Sequence, residues 1–155
     1  MINYTLTSKS KYWPARIKKI NQLILKIIKF KKDLKFEKNI DYNCSFIFVD
    51  DKKMKDINKK FRKINQPTDV LTFISDIKIQ NNRHKKLCDI FLSAETIMMD
   101  AKKSKINFYD HLTHLVIHSF LHINGFVHNK FKDFLKMKDV EIKILKNLEI
   151  DNPYL

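Results

Sequence analysis

Asp110–His128 reads DHLTHLVIHSFLHINGFVH, and the rest of the chain is best understood outward from it. Leu112, Leu115, Val116, Ile117, Phe120, Leu121 and Ile123 cover most directions of an α-helix and leave a stripe that holds His111, His114, His118 and His122. Asp110 is suited to cap this helix, which is expected to run from His111 to about Asn124. Gly125, the only glycine in the chain, can then take the left-handed conformation that ends a helix. His118 and His122 are four residues apart, so their imidazoles leave the same face about one turn from each other and can reach one metal ion. The turn at Gly125 lets His128 approach the same point from outside the helix. Three histidines with no fourth protein ligand describe a catalytic zinc site with an open position for water, whereas structural sites close with four ligands, commonly including cysteine. One zinc ion per chain is therefore expected at His118, His122 and His128. Neighbouring apolar residues imply that the helix is buried, where a row of unpaired imidazoles would be costly, and this favours a metal over a chance row. His114 extends the stripe and could orient a ligand, touch substrate or be an ordinary histidine.

The flanking sequence supplies strands and further helices. Ile2, Tyr4 and Leu6 alternate with polar residues as a half-buried strand would. Pro14 suits a first helical turn, and Ile17, Ile20, Ile24, Ile27 and Ile28 follow at helical spacing, so residues 14 to 32 read as a basic amphipathic helix. Ser45–Val49 (SFIFV) reads as a strand, with Asp51 as the cap of a helix to about Arg62 whose inner face would be Met54, Ile57 and Phe61. Val70–Ile74 (VLTFI) is a third strand and Cys88–Leu92 a fourth, separated by a polar loop over Gln80–Lys86. Ser93 can cap a helix through Met98 and Ala101, and a last helix from about Lys132 to Leu148 carries Phe134, Met137, Val140, Ile144 and Leu148 as a stripe. Strands interspersed with helices make the fold α/β, a small mixed four-stranded sheet covered by about five helices in a single domain over residues 1 to 155.

Composition bounds the function. A chain of 155 residues, 44% hydrophobic, is the size of one globular domain with a real core. Its formal charge of +14 suits a polyanionic partner, although abundant Lys, Asn and Ile beside a single Gly is also what an AT-biased genome yields. Cys44 and Cys88 are isolated, without the spacing of a thiol zinc site, and read as small core residues. The N-terminal residues lack a signal-peptide h-region, and the best apolar stretch, Leu23 to Phe30, is short and interrupted by Lys26 and Lys29. No membrane association is expected, and the expected location is cytoplasmic.

His118–His128 resembles the H-G-x-L-H-L-x-G-Y-D-H signature of the YbeY-type endoribonucleases, the rRNA maturation factors. Asn58–Arg62 followed by Pro67–Phe73 is similar to that family's L-N-x-x-Y-R…P-T-D-V-L-S-F, and Leu87–Ser93 to its L-G-D-I-x-I-S. The resemblance implies that the three histidines bind zinc and that Arg62 serves RNA binding or catalysis. It also implies single-strand RNA cleavage in small-subunit (16S) rRNA maturation and ribosome quality control. The partners would be small-subunit rRNA precursor and the small ribosomal subunit, with no DNA. Ser119 and Cys88 stand where the family has glycine, Phe126 where it has tyrosine, and Val127 where it has an aspartate that could orient a ligand or handle protons. The acidic stretch that follows the signature is replaced by Asn129–Asp133, while Met137 and Glu141 remain in register.

Arg62 ends a basic helix and is the side chain best suited to bidentate phosphate contact, against the plain alternative of a solvated helix end. Thr68 and Asp69 read as turn residues that support the following strand, and the role of Asp89 is open. The lysines between Ala15 and Lys32 could track an RNA backbone or simply solvate a helix. Two other functions fit parts of the pattern. A metalloprotease shares the H-x3-H-x5-H spacing but needs a glutamate where Ser119 stands. A non-catalytic rRNA-binding assembly factor with a structural zinc would not need the aspartate that Val127 replaces.

Overall fold

In the computed structural model, which describes all 155 residues, the strands are β1 (Ile2–Ser8), β2 (Ile40–Val49), β3 (Val70–Lys78) and β4 (His84–Ser93). They form one sheet in the order β1-β2-β4-β3, with β1, β2 and β4 parallel and the edge strand β3 antiparallel to β4. The helices are α1 (Ile17–Ile28), α2 (Asp51–Arg62), α3 (Ala94–Lys103), α4 (Phe108–Ile123) and α5 (Phe131–Asn147), and a 3-10 turn over Pro14–Arg16 leads into α1. The mixed four-stranded sheet with five helices is the α/β arrangement expected from the sequence.

Period-two alternation along β2 buries Ile40, Tyr42, Cys44, Phe46 and Phe48 on one face. There they join Ile20, Ile24 and Ile27 of α1 and the apolar side of α4 in the main core. The cysteines are free, buried and opposite each other in register on β2 and β4. Val49, Met54, Ile57 and Leu71 make a separate small cluster beneath α2. Trp13 is wholly buried and donates its indole N–H to the Val49 carbonyl at 2.8 Å, an anchor that the sequence pattern did not reveal.

Several local expectations change. α1 stops at Ile28 rather than Lys32, and β2 begins five residues before the apolar run because Ile40, Tyr42 and Cys44 already alternate inward. β3 and β4 also extend beyond their apolar segments, so the loop between them shrinks to residues 79 to 83. Phe61 is 59% exposed, because the inner face of α2 turns through Met54, Ile57 and Asn58 instead. The caps shift as well. Asp50, not Asp51, caps α2 by accepting from the Lys53 amide at 2.9 Å. Asp51 reaches across to α3 and accepts from the Ser93 hydroxyl at 2.6 Å and the Thr96 amide at 3.2 Å, so it does the capping expected of Ser93. α4 is capped by Asn107, whose side chain accepts from the Tyr109 amide at 2.9 Å, and Asp110 falls in its first turn. Spacing alone does not choose between polar residues this close together.

Candidate metal centre

α4 lies with its apolar residues in the core and its histidine stripe toward the edge strand β3 and α5. Its C-terminus closes as a Schellman turn: the Phe126 amide donates to the Leu121 carbonyl at 3.0 Å and the Gly125 amide to His122 at 3.1 Å. Gly125 has φ +90°, and a Cβ there would meet nothing within 4 Å, so glycine is needed for the backbone angle and not for space. This turn returns the chain and sets the His128 ring 4.9 Å from that of His122 and 5.4 Å from that of His118, centroid to centroid.

One candidate ligand nitrogen from each of the three rings lies within 4.8 Å of the other two. The pair on α4 is closer, with Nε2 of His118 and Nε2 of His122 2.9 Å apart. Nδ1 of His122 faces the Phe126 carbonyl at 2.9 Å, and a carbonyl only accepts, so Nδ1 carries the proton. Nδ1 of His118 faces a Glu141 carboxylate oxygen at 2.7 Å and donates to it. In the neutral rings both Nε2 atoms therefore present lone pairs to each other, which is repulsive unless something positive is shared between them. Burial, then the neighbouring His118, pushes the His122 pKa down to about 4, so this ring is neutral near pH 7, as a metal ligand must be. The residues present thus fit a metal ion bound through three neutral imidazoles.

Glu141 was not among the residues expected at the site. Its carboxylate is wholly buried and accepts from His118, from His114 Nε2 at 2.5 Å and from the Tyr154 hydroxyl at 2.5 Å. Burial alone would raise its pKa, but the bonds from His114 and His118, with Tyr154, overcome that and hold it down at about 2. Burial and the adjoining carboxylate in turn push the Tyr154 phenol upward. Glu141 had a signal in the sequence as the one carboxylate in register with Met137 and Ile144 on the buried stripe of α5. Tyr154 had none, because its position depends on the chain after α5 folding back against His114.

The histidines open into a cleft of about 710 Å³ whose walls include Arg62, Asp69, Thr72, His114, Val127 and Tyr154. Arg62, the last residue of α2, is exposed at this cleft and makes no hydrogen bond or ion pair within the protein. Val127 is 45% exposed there. Asp69 accepts the Val70 amide at 2.6 Å, in keeping with support of β3, and also lines the cleft. Asp89 is exposed midway along β4 and is not among the residues lining the cleft. Ser119 is buried with its hydroxyl donating to the Leu115 carbonyl at 2.9 Å, so nothing at that position can act as the base of a metalloprotease.

The family model for Endoribonuclease YbeY matches residues 5 to 149 of the chain. The chain belongs to the YbeY family. It is 33% identical to Endoribonuclease YbeY of Bartonella quintana (strain Toulouse) over 99% of this chain and 98% of that one. The identity to Endoribonuclease YbeY of Anaplasma phagocytophilum (strain HZ) is also 33%, over 92% and 91% of the two chains. A solution structure from Thermotoga maritima superposes with a TM-score of 0.58 and 25% identity, covering 96% of this chain and 92% of that one. Against the YbeY signature, this chain keeps all three histidines at one point in space and presents Val127 to the cleft in place of the aspartate.

Proposed function

We propose that this chain is a zinc-dependent, single-strand endoribonuclease acting in small-subunit (16S) rRNA maturation and ribosome quality control in the cytoplasm. The endoribonuclease assignment follows from the family. The observation that carries the metal dependence is the pair of facing Nε2 lone pairs 2.9 Å apart, held there by hydrogen bonds on the far side of each ring. No helix is long and apolar enough to cross a membrane, and the charge of +14 suits an RNA partner.

His118, His122 and His128 would hold the ion, which would supply Lewis acidity toward a phosphoryl oxygen and lower the pKa of water from ~15.7 toward ~7. The remaining work falls to the chain. Glu141 fixes the tautomer and orientation of His118, and the Phe126 carbonyl does the same for His122. His114 takes a positioning role in this arrangement, since its Nε2 is engaged by Glu141. Arg62, free of protein partners, meets phosphate at the cleft and counters charge that builds up on it during displacement.

Incubating the purified protein with small-subunit rRNA precursor, with and without a chelator, tests this reading. Discrete cleavage that chelator abolishes and added zinc restores is expected. One observation favours a second reading: Val127, at the cleft, cannot handle protons, as a non-catalytic rRNA-binding assembly factor with a structural zinc would allow. Tight binding of the precursor without cleavage, in protein shown to carry zinc, would establish that second reading and overturn the first.

A further inference from the structure

His111, Asp69 and Asp100 meet beside the same cleft, whose wall includes His111 and Asp69. Asp69 immediately precedes β3, Asp100 is on α3, and His111 is on the first half of α4. Their candidate ligand atoms all lie within 4.8 Å of one another. No hydrogen bond or ion pair joins the three, and much of their bonding capacity is unused. Nε2 of His111 is sealed from solvent and has no hydrogen-bond partner. The Asp100 carboxylate makes neither a hydrogen bond nor an ion pair, and Asp69 uses one oxygen for the Val70 amide and the Thr68 hydroxyl, leaving the other without a protein partner. Asp69 is held firmly all the same, because its carbonyl also accepts the Ser93 amide at 2.9 Å.

Such an arrangement is unfavourable by itself. Burial, and then the neighbouring Asp69 carboxylate, raise the Asp100 pKa, while burial lowers that of His111. Two carboxylates that repel each other beside a neutral imidazole with a sealed, unpaired nitrogen are all satisfied at once by one divalent cation. Metal–ligand bonds of roughly 2.0–2.4 Å span donors at about this separation. Two carboxylates and one imidazole combine the donor preferences of Mn2+ with those of Zn2+ and Fe2+.

We infer that Asp69, Asp100 and His111 form a second divalent-cation site, distinct from the three-histidine centre, that takes an ion of the Mn2+ class. His111 precedes His118 by seven residues on α4, a separation of ~10 Å along the helix axis. The paired ions that jointly cradle one reacting phosphate in two-metal hydrolases stand ~3.5–4 Å apart, so this site serves a different phosphate. Resting on the RNA reading above, the second ion holds a backbone phosphate next to the one that is cut. It thereby contributes to substrate binding and not to the chemical step.

Mn2+ binding measured by calorimetry and by electron paramagnetic resonance, on zinc-loaded parent protein and on His122→Ala and Asp100→Asn, tests the site. One Mn2+ equivalent that persists in His122→Ala and is about tenfold or more weaker in Asp100→Asn is the expected result. Equal Mn2+ binding in Asp100→Asn and the parent would overturn the site, as would loss of Mn2+ from His122→Ala alone or no Mn2+ binding by the parent. Asp100→Asn removes a repulsion and should fold. If its thermal melting shows otherwise, His111→Gln takes its place with the same expectations. The RNA role is read separately, as a raised KM for single-stranded RNA with little change in kcat. Mn2+ binding that depends on Asp100 beside an unchanged KM would keep the cation site and remove its role toward RNA.

Discussion

His118 and His128 stack across the candidate metal centre with ring centroids 5.4 Å apart, yet only one of them is held from behind. His118 donates to a buried carboxylate on α5, and its neighbour His122 donates to a backbone carbonyl fixed by the turn at Gly125. His128 is exposed on the loop beyond that turn, and its ring makes no hydrogen bond to the protein. The centre therefore has a stiff side, built from α4, α5 and the turn through Phe126, and a compliant side, built from residues 127 to 130. Orientation of the first two candidate ligands is fixed at folding, whereas the third would be free to adjust to an ion and a substrate. Substitutions on the stiff side should accordingly cost metal and stability together, and those on the compliant side should change activity with little effect on the fold.

The largest effect is expected from His122→Ala. Metal content, about one zinc equivalent at the three-histidine centre, should fall to near zero, because two ligands with one on a loop hold zinc poorly. Retention of a full equivalent in that variant would remove His122 from the ligand set.

Glu141→Gln should come next. The amide keeps an acceptor oxygen but turns an NH2 group toward donors from His114, His118 or Tyr154, so at least one buried donor loses its partner. Leaving a buried donor of this kind without its partner costs on the order of 1–3 kcal/mol. Loss of the carboxylate behind His118 should also weaken zinc by ~10–100-fold. Competition with a chromogenic chelator and thermal melting read the two consequences separately. Unchanged zinc affinity in a folded variant would mean that the stiff side is not what sets affinity.

What could be read in advance divides along the same physical line. The apolar residues of α4 repeat at 3.6 residues and are buried as that period requires, and Gly125 is legible because a φ of +90° is open to little else. The meeting of His118, His122 and His128 follows from those two facts. Glu141 is harder to see, since its stripe on α5 identifies burial but not the element it faces. Tyr154 and the meeting of Asp69, Asp100 and His111 are products of tertiary packing between segments far apart in sequence, where no local period applies. The exposed Phe61 and the displaced caps at Asp50 and Asn107 show the limit at shorter range. An apolar side chain one turn along a helix, or a polar one a few residues from its start, satisfies the same local pattern in more than one register.

Arg62→Glu probes the part of the cleft wall contributed by α2 and should leave thermal stability almost unchanged, because Arg62 is exposed and unpaired. Affinity for single-stranded RNA should drop, and the dependence of log K on log salt should lose about one unit of slope for the phosphate contact removed. A melting temperature far below that of the parent, with RNA affinity per folded molecule intact, would assign Arg62 to structure.

The smallest effect is expected on the compliant side, from Val127→Asp, which restores the carboxylate of the YbeY signature. Val127 is 45% exposed at the cleft and directly precedes His128, the one ligand without a partner behind it. An aspartate there can reach water, so it need not carry the penalty of a buried unpaired charge and the fold should tolerate it. The carboxylate could accept from the His128 imidazole and fix its tautomer, or accept a proton from the attacking group. Lost hydrogen-bond partners of metal ligands typically cost ~10–100-fold in affinity or activity, and regaining one on an exposed loop should return a few-fold in cleavage rate, toward the bottom of that range or below it. Rates must be compared at equal concentrations of folded, zinc-loaded protein. A gain in zinc affinity without a gain in rate would assign the restored carboxylate to ligand orientation alone. Equal or lower values of both would show that the compliance of this loop is something the chain does not need corrected, and a parent equally inactive on rRNA precursor would then favour the binding-factor reading.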